Sequence, residues 1–299
     1  MNGLLLINKP LGLTSHDVVS RVRRILKTKE VGHSGTLDPL ASGLMALLVG
    51  EATKLSSYIT DGDKAYHVGF QLGLTTDTLD ITGAVLKQSD VLATENEALK
   101  VARDLIGEMQ LPIPLYSAKK IDGKKLYEYA REGVAIEQPV KLMKFWDINF
   151  VGRKGLHYEF ELRCSKGSFI RSWVNRIGEI LGCGAVMTSL VRTGSHCFSL
   201  ESACTLEQLE KFSREEQQSC LIPLDEALVG VKKIRVKGQD AVLMKNGQIS
   251  HQLRTQLISR FNPDTDEIIQ ILPDTSGHIL ALVGLEKGHG FRVKRVFNY

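Results

Sequence analysis

Residues 44–49, Leu-Met-Ala-Leu-Leu-Val, follow directly on a polar, glycine-rich stretch at residues 31–43. The apolar run must be buried, as a strand or a short helix, so the polar stretch is a loop fixed to the end of a core element. That loop holds Gly32, Gly35, Gly43, Pro39, His33 and a single acid, Asp38. Its glycines allow a backbone carrying Asp38 to approach a ligand closely. Asp before Pro is also ordinary turn chemistry, and composition alone favours the turn.

The 299 residues suffice for one large domain and a smaller one. No apolar run reaches the roughly 18–20 residues that span a bilayer, and no signal peptide is read at the N-terminus. The five cysteines form no Cys-x-x-Cys pair, which predicts free thiols in a reducing cytoplasm. Net charge is +4, but residues 230–299 carry 11 Lys and Arg against 6 Asp and Glu. A basic C-terminal segment suits either a polyanion partner or a solvated surface.

Apolar spacing predicts strands at residues 4–7, 65–72, 134–151, 155–164 and 185–192. Helices are expected after the caps Thr14/Asp17 and Thr94/Glu97, and over residues 124–132, 168–181 and 205–212. Residues 73–83 read as a polar loop, and short β segments return from about residue 231 onward. The expected fold class is α+β: a large mixed domain, residues 1–230, and a small β-rich domain, residues 231–299.

Several chemistries lack their signatures. The eight histidines make no metal-ligand pair, and no phosphate loop or Gly-x-Ser-x-Gly elbow occurs. The loop offers one carboxylate, where a glycosidase needs two. A lone loop carboxylate, basic surface and scattered aromatics suit chemistry on a nucleotide taken out of its stack.

The string GHSGTLDPLASGLMALLVGEATKL closely resembles the signature loop of the TruB family of tRNA pseudouridine synthases. Further segments match the family in order: Lys9-Pro10, Asp63-Lys64-Ala65-Tyr66, residues 73–83, Tyr116-Ser117-Ala118-Lys119, residues 124–131, residues 164–171 and Leu190-Val191-Arg192-Thr193. The resemblance implies a pseudouridine-synthase catalytic domain built on a mostly antiparallel sheet. It also implies isomerisation of uridine 55 in the T-loop of tRNA, with base flipping and with no cofactor and no metal.

By the same resemblance Asp38 is the nucleophile, toward either ribose C1′ or base C6. Tyr66 stacks on the flipped base, Arg171 pairs with Asp38, His33 packs into the T-loop and Leu190 lines the pocket floor. Read alone, Tyr66 and Leu190 suit a core, Arg171 a helix surface and His33 an exposed loop. Phe169 stands where the family usually has tyrosine, so it is expected to be a steric wall, with Tyr66 supplying the phenol. Residues 231–299 resemble, more weakly, a PUA-type RNA-binding module, with Lys232, Lys233, Arg235, Arg292, Lys294 and Arg295 as candidate contacts. The implied partner is the tRNA T-arm stem-loop, bound by a cytoplasmic monomer without a membrane or an obligate protein partner. Two other readings are an RNA folding helper and a guide-RNA-dependent relative of the family.

Overall fold

The computed structural model describes residues 1–60, 62–274 and 277–299. Its centre is an eleven-stranded sheet. The strands that place the site are β1 (Gly3–Lys9), β2 (Val31–His33), β3 (Ala41–Val49), β4 (Lys64–Leu72), β5 (Gly107–Pro112), β6 (Val140–Lys154), β7 (His157–Cys164) and β8 (Ala185–Ser195). The spatial order is β1-β3-β8-β4-β7-β6-β5, with β2 alongside β3. Neighbours along this path are antiparallel except β3 and β8, so the expectation of a mostly antiparallel sheet holds.

The apolar run at residues 44–49 is a strand buried on both faces. Leu44, Ala46 and Leu48 enter one hydrophobic cluster with Leu4 and Leu6, whereas Met45, Leu47 and Val49 enter another with Leu5 and Ile7. Alternation across a two-sided core explains a continuous apolar sequence. Helix α1 (Ser15–Leu26) closes the second cluster with Val18, Val19, Val22 and Leu26. Its Thr14/Asp17 capping box forms as read. A third cluster joins Tyr66, Val68 and Phe70 of β4 to Tyr158, Phe160 and Leu162 of β7. Helix α2 (Glu95–Asp104) and helix α3 (Ile170–Ile180) pack on that face through Ala98, Ala102, Trp173 and Ile177.

Three readings of the sequence need correction. Residues 73–83 are not wholly loop, because Leu74–Thr76 pairs with Val85–Gln88. Strand β6 begins at Val140 rather than at residue 134, directly after Pro139, which has no N–H to donate to a ladder. The C-terminal segment is not built of β elements alone. Strand β9 (Lys233–Val236) is followed by helices α4 (Gly238–Lys245) and α5 (His251–Arg260), then by β10 (Ile269–Pro273), β11 (Ala281–Glu286) and β12 (Gly290–Val296). The four strands form one sheet whose first pair is parallel. Both helices bury little, Met244 in one and Leu253 and Leu257 in the other, so their apolar periodicity is faint in the sequence.

The C-terminal unit shares a core with the main sheet. Ile268, Ile279, Leu282 and Phe297 pack in the cluster that holds Leu4, Leu44 and Leu48. Lys54 Nζ donates to Val296 O at 2.9 Å, and Asn298 N donates to Glu51 Oε2 at 2.8 Å. Phe297→Ala is therefore expected to destabilise the whole chain by about 3–5 kcal/mol. A single urea transition shifted to lower midpoint would show this; separate loss of the C-terminal unit at unchanged main-domain midpoint would refute it.

Candidate active site

The loop between β2 and β3 is held by its backbone. Ser15, at the start of α1, donates from Oγ to Leu37 O at 3.0 Å and accepts from Leu37 N at 2.8 Å. Gly12 N donates to Pro39 O at 2.9 Å. Arg192 of β8, almost fully buried, donates to Leu44 O at 2.6 Å, Gly35 O at 3.2 Å and Thr36 O at 3.4 Å. Gly43 has φ of +99°, and a Cβ there would strike the Arg192 main chain, so the loop and β8 approach closely only through glycine.

This anchoring presents Asp38, whose side chain is 41% exposed, to Arg171, whose side chain is 6% exposed. Arg171 Nη2 donates to Asp38 Oδ2 at 2.7 Å and to Tyr116 O at 3.0 Å, and Nη1 donates to Thr78 O at 2.9 Å. A second carboxylate, Asp80, lies 3.6 Å from Arg171 Nη1 and is itself buried. Asp80 accepts from Thr78 Oγ1 at 2.9 Å, Thr82 N at 3.0 Å and Thr82 Oγ1 at 2.6 Å. The guanidinium is thus satisfied on several sides and cannot swing away from Asp38 cheaply. The expectation of an Arg171–Asp38 pair holds; that of a helix-surface arginine does not.

Asp38 lies on a cleft of about 500 Å³ lined also by Tyr66, Phe169, Arg171 and Leu190. His33 is not among the lining residues. It ends β2, opposite Leu47, and burial together with the charge of Arg192 pushes its pKa down, so the ring is neutral at pH 7. Phe169 stands just before α3, its backbone N–H turned to Met143 Sδ at 3.3 Å and its ring against the core. Tyr66 is the only tyrosine among the described residues lining the cleft, and burial raises its phenol pKa against the opposing charge of Arg192. Cys164 at the cleft floor is pushed up to about 12 by burial and stays a thiol at neutral pH. The lining hydroxyls have no histidine beside them among the described lining residues. Among the described lining residues Asp38 is the one carboxylate, and it is reachable from solvent.

Sequence reading missed Asp80, Arg192 and the role of Lys9. The Lys9 side chain is fully buried, with Nζ donating to Leu13 O at 2.6 Å and Pro10 O at 3.0 Å. Burial pushes its pKa down to about 8; Asp38 opposes the shift and Arg192 adds to it.

Two family models match the chain, the TruB family pseudouridylate synthase N-terminal domain over residues 23–170 and the tRNA pseudouridylate synthase B C-terminal domain over residues 171–229. The chain belongs to the TruB family. A protein of Bdellovibrio bacteriovorus named tRNA pseudouridine synthase B is 54% identical over 304 residues, covering 100% of this chain and 97% of that protein. One of the same name from Alkaliphilus oremlandii is 44% identical over 247 residues, covering 83% of this chain and 82% of the relative. Among solved structures, an H/ACA ribonucleoprotein bound to a substrate RNA containing 2′-deoxyuridine superposes with TM-score 0.70 at 22% identity, covering 99% of this chain and 85% of that one. A Cbf5-Nop10-Gar1 complex gives TM-score 0.69 at 23% identity, covering 99% and 84%. These two show a shared fold.

The Lys9 environment carries a pH signature. Its folded pKa lies below the unfolded value of 10.5, so between about pH 8 and pH 10.5 the unfolded chain binds more protons. Stability from this group therefore rises with pH across that window. The stability difference between the native chain and Lys9→Met, measured by urea unfolding, is expected to move in favour of the native chain from pH 7.5 to pH 10. A difference independent of pH would contradict it.

Proposed function

We propose that this chain isomerises uridine 55 in the T-loop of tRNA to pseudouridine. The observation that carries the reading is the Asp38 carboxylate 2.7 Å from a buried Arg171 on an otherwise basic cleft. The name of its Bdellovibrio relative, 54% identical end to end, gives the same substrate class.

The cleft takes one nucleotide extruded from the RNA stack. Arg171 holds the Asp38 carboxylate in place at 2.7 Å. Asp38 attacks ribose C1′, displacing N1, or adds to base C6, after which the N1–C1′ bond breaks; C5 then bonds to C1′ and the bond to Asp38 is released. The C5 proton leaves and N1 gains one, so the composition of the nucleotide is unchanged. Phe169 and Leu190 wall the base. The Tyr66 phenol, kept protonated by burial, gives its proton to N1 and takes the C5 proton in its place.

The reading takes residues 1–230 as the catalytic domain and residues 231–299 as a PUA-like RNA-binding unit. Among the candidate contacts of that unit, Lys232 pairs with Asp266 at 2.7 Å, Lys233 with Asp225 at 2.9 Å and Lys294 with Glu286 at 3.8 Å. Arg292 lines a surface cavity with Arg254 and Phe291 and is the candidate best placed for a phosphate. The chain acts as a cytoplasmic monomer without a protein partner.

Two substitutions test the chemistry. Asp38→Asn is expected to abolish pseudouridine formation in a tritium-release assay on a T-arm stem-loop while RNA binding persists; modification by this variant would refute the nucleophile. Tyr66→Phe is expected to lower kcat by about 100-fold or more with KM little changed. Near-full turnover would remove Tyr66 from proton transfer.

A further inference from the structure

Two carbonyls grip the Arg171 guanidinium, Thr78 O at 2.9 Å and Tyr116 O at 3.0 Å, and they come from separate segments. The same two segments are joined a second time by a side-chain bond. The Tyr116 phenol donates to Asp77 Oδ2 at 3.2 Å, and Asp77 directly precedes Thr78. The bonds close a ring. It runs from Arg171 to the Tyr116 carbonyl, from the Tyr116 phenol to Asp77, along the chain to Thr78, and from the Thr78 carbonyl back to Arg171.

Asp77 is a fixed post in that ring. Its N–H donates to Ala84 O at 3.2 Å, and its Oδ1 accepts from Ala84 N at 2.8 Å. Gly83 packs so closely that a Cβ there would strike Asp77 Oδ1 and Thr78 Oγ1. Tyr116 in turn sits where Ser117 N donates to Leu115 O at 2.9 Å, which bends the chain tightly around it. The phenol gives the guanidinium no further partner. What it adds is a set spacing between the two carbonyls.

That spacing bears on the site through one atom. Arg171 Nη2 donates both to Tyr116 O and to Asp38 Oδ2, so a displaced Tyr116 carbonyl re-aims the nitrogen that holds Asp38. Asp77, Thr78 and Tyr116 are not among the residues lining the cleft. Their bond therefore acts on the reaction through Arg171 rather than by touching the nucleotide.

We infer that Tyr116 and Asp77 are positioning residues, a clasp that fixes the two carbonyls on Arg171 and through it the aim of Asp38. The inference rests on the isomerase reading of the cleft.

The test follows pseudouridine formation by the full chain under single turnover, on a T-arm stem-loop RNA, across a range of protein concentrations. Tyr116→Phe removes the phenol oxygen alone. It is expected to lower the maximal rate by about tenfold and to leave the half-saturating protein concentration within about twofold. Its urea midpoint is expected to match the native one. Asp77→Ala is expected to lose at least as much rate, and the double variant no more than Asp77→Ala alone, because the two residues act as one bond. An unchanged maximal rate in Tyr116→Phe, a loss confined to half-saturation, or losses that multiply in the double variant would overturn the clasp. Tyr116→Phe decides alone if Asp77→Ala does not fold. A native chain that leaves the stem-loop unmodified would remove the proposed function itself, whereas native conversion beside an unaffected Tyr116→Phe removes the clasp only.

Discussion

The Arg171 guanidinium is the joint on which the active site hangs. It gathers Asp38 from the loop after β2, Thr78 and Asp80 from the turn after β4, and Tyr116 from the segment after β5. These partners are 93, 133 and 55 residues away along the chain for Thr78, Asp38 and Tyr116. A buried cation with fewer partners would carry a desolvation penalty of several kcal/mol. Here two carboxylates and two carbonyls offset it, and meeting that demand brings four separate segments into one geometry. The Asp38 carboxylate is oriented as a by-product of satisfying a buried charge.

Arg192 and Lys9 repeat the device with carbonyls alone. Each is buried and bonded to main-chain oxygens rather than to an acid. Together they add positive charge around the Asp38 loop, while among the described residues Arg171 is the cation paired with its carboxylate. The loop is held rigidly and the field around it favours an anion.

Much of this fold is legible from local pattern. The capping boxes at Thr14 and Thr94, the alternation in β4 and β7, and the stripe of α3 each follow from one segment and its neighbours. The faint helices α4 and α5 are not, because they bury one and two residues respectively. In the site, Asp38 stands out as the single acid of its loop, and family likeness supplies its partners. Asp80 is one polar residue among turn formers in the sequence, and the Thr78 and Thr82 hydroxyls that bond its carboxylate read there as ordinary turn residues. Arg192 carried a clearer signal, a charge closing an apolar strand. The parts played by the Thr78 and Tyr116 carbonyls belong to the backbone, which side-chain chemistry does not report.

The shared core between the main sheet and the C-terminal unit bears on how a long ligand is measured. Phe297 sits in one cluster with residues of β1 and β3, and β3 carries the Asp38 loop at its start. The two units are therefore joined by packed side chains as well as by the chain itself. Any ligand that touched both units would meet a fixed spacing instead of a tether, with no hinge to immobilise between the two contacts.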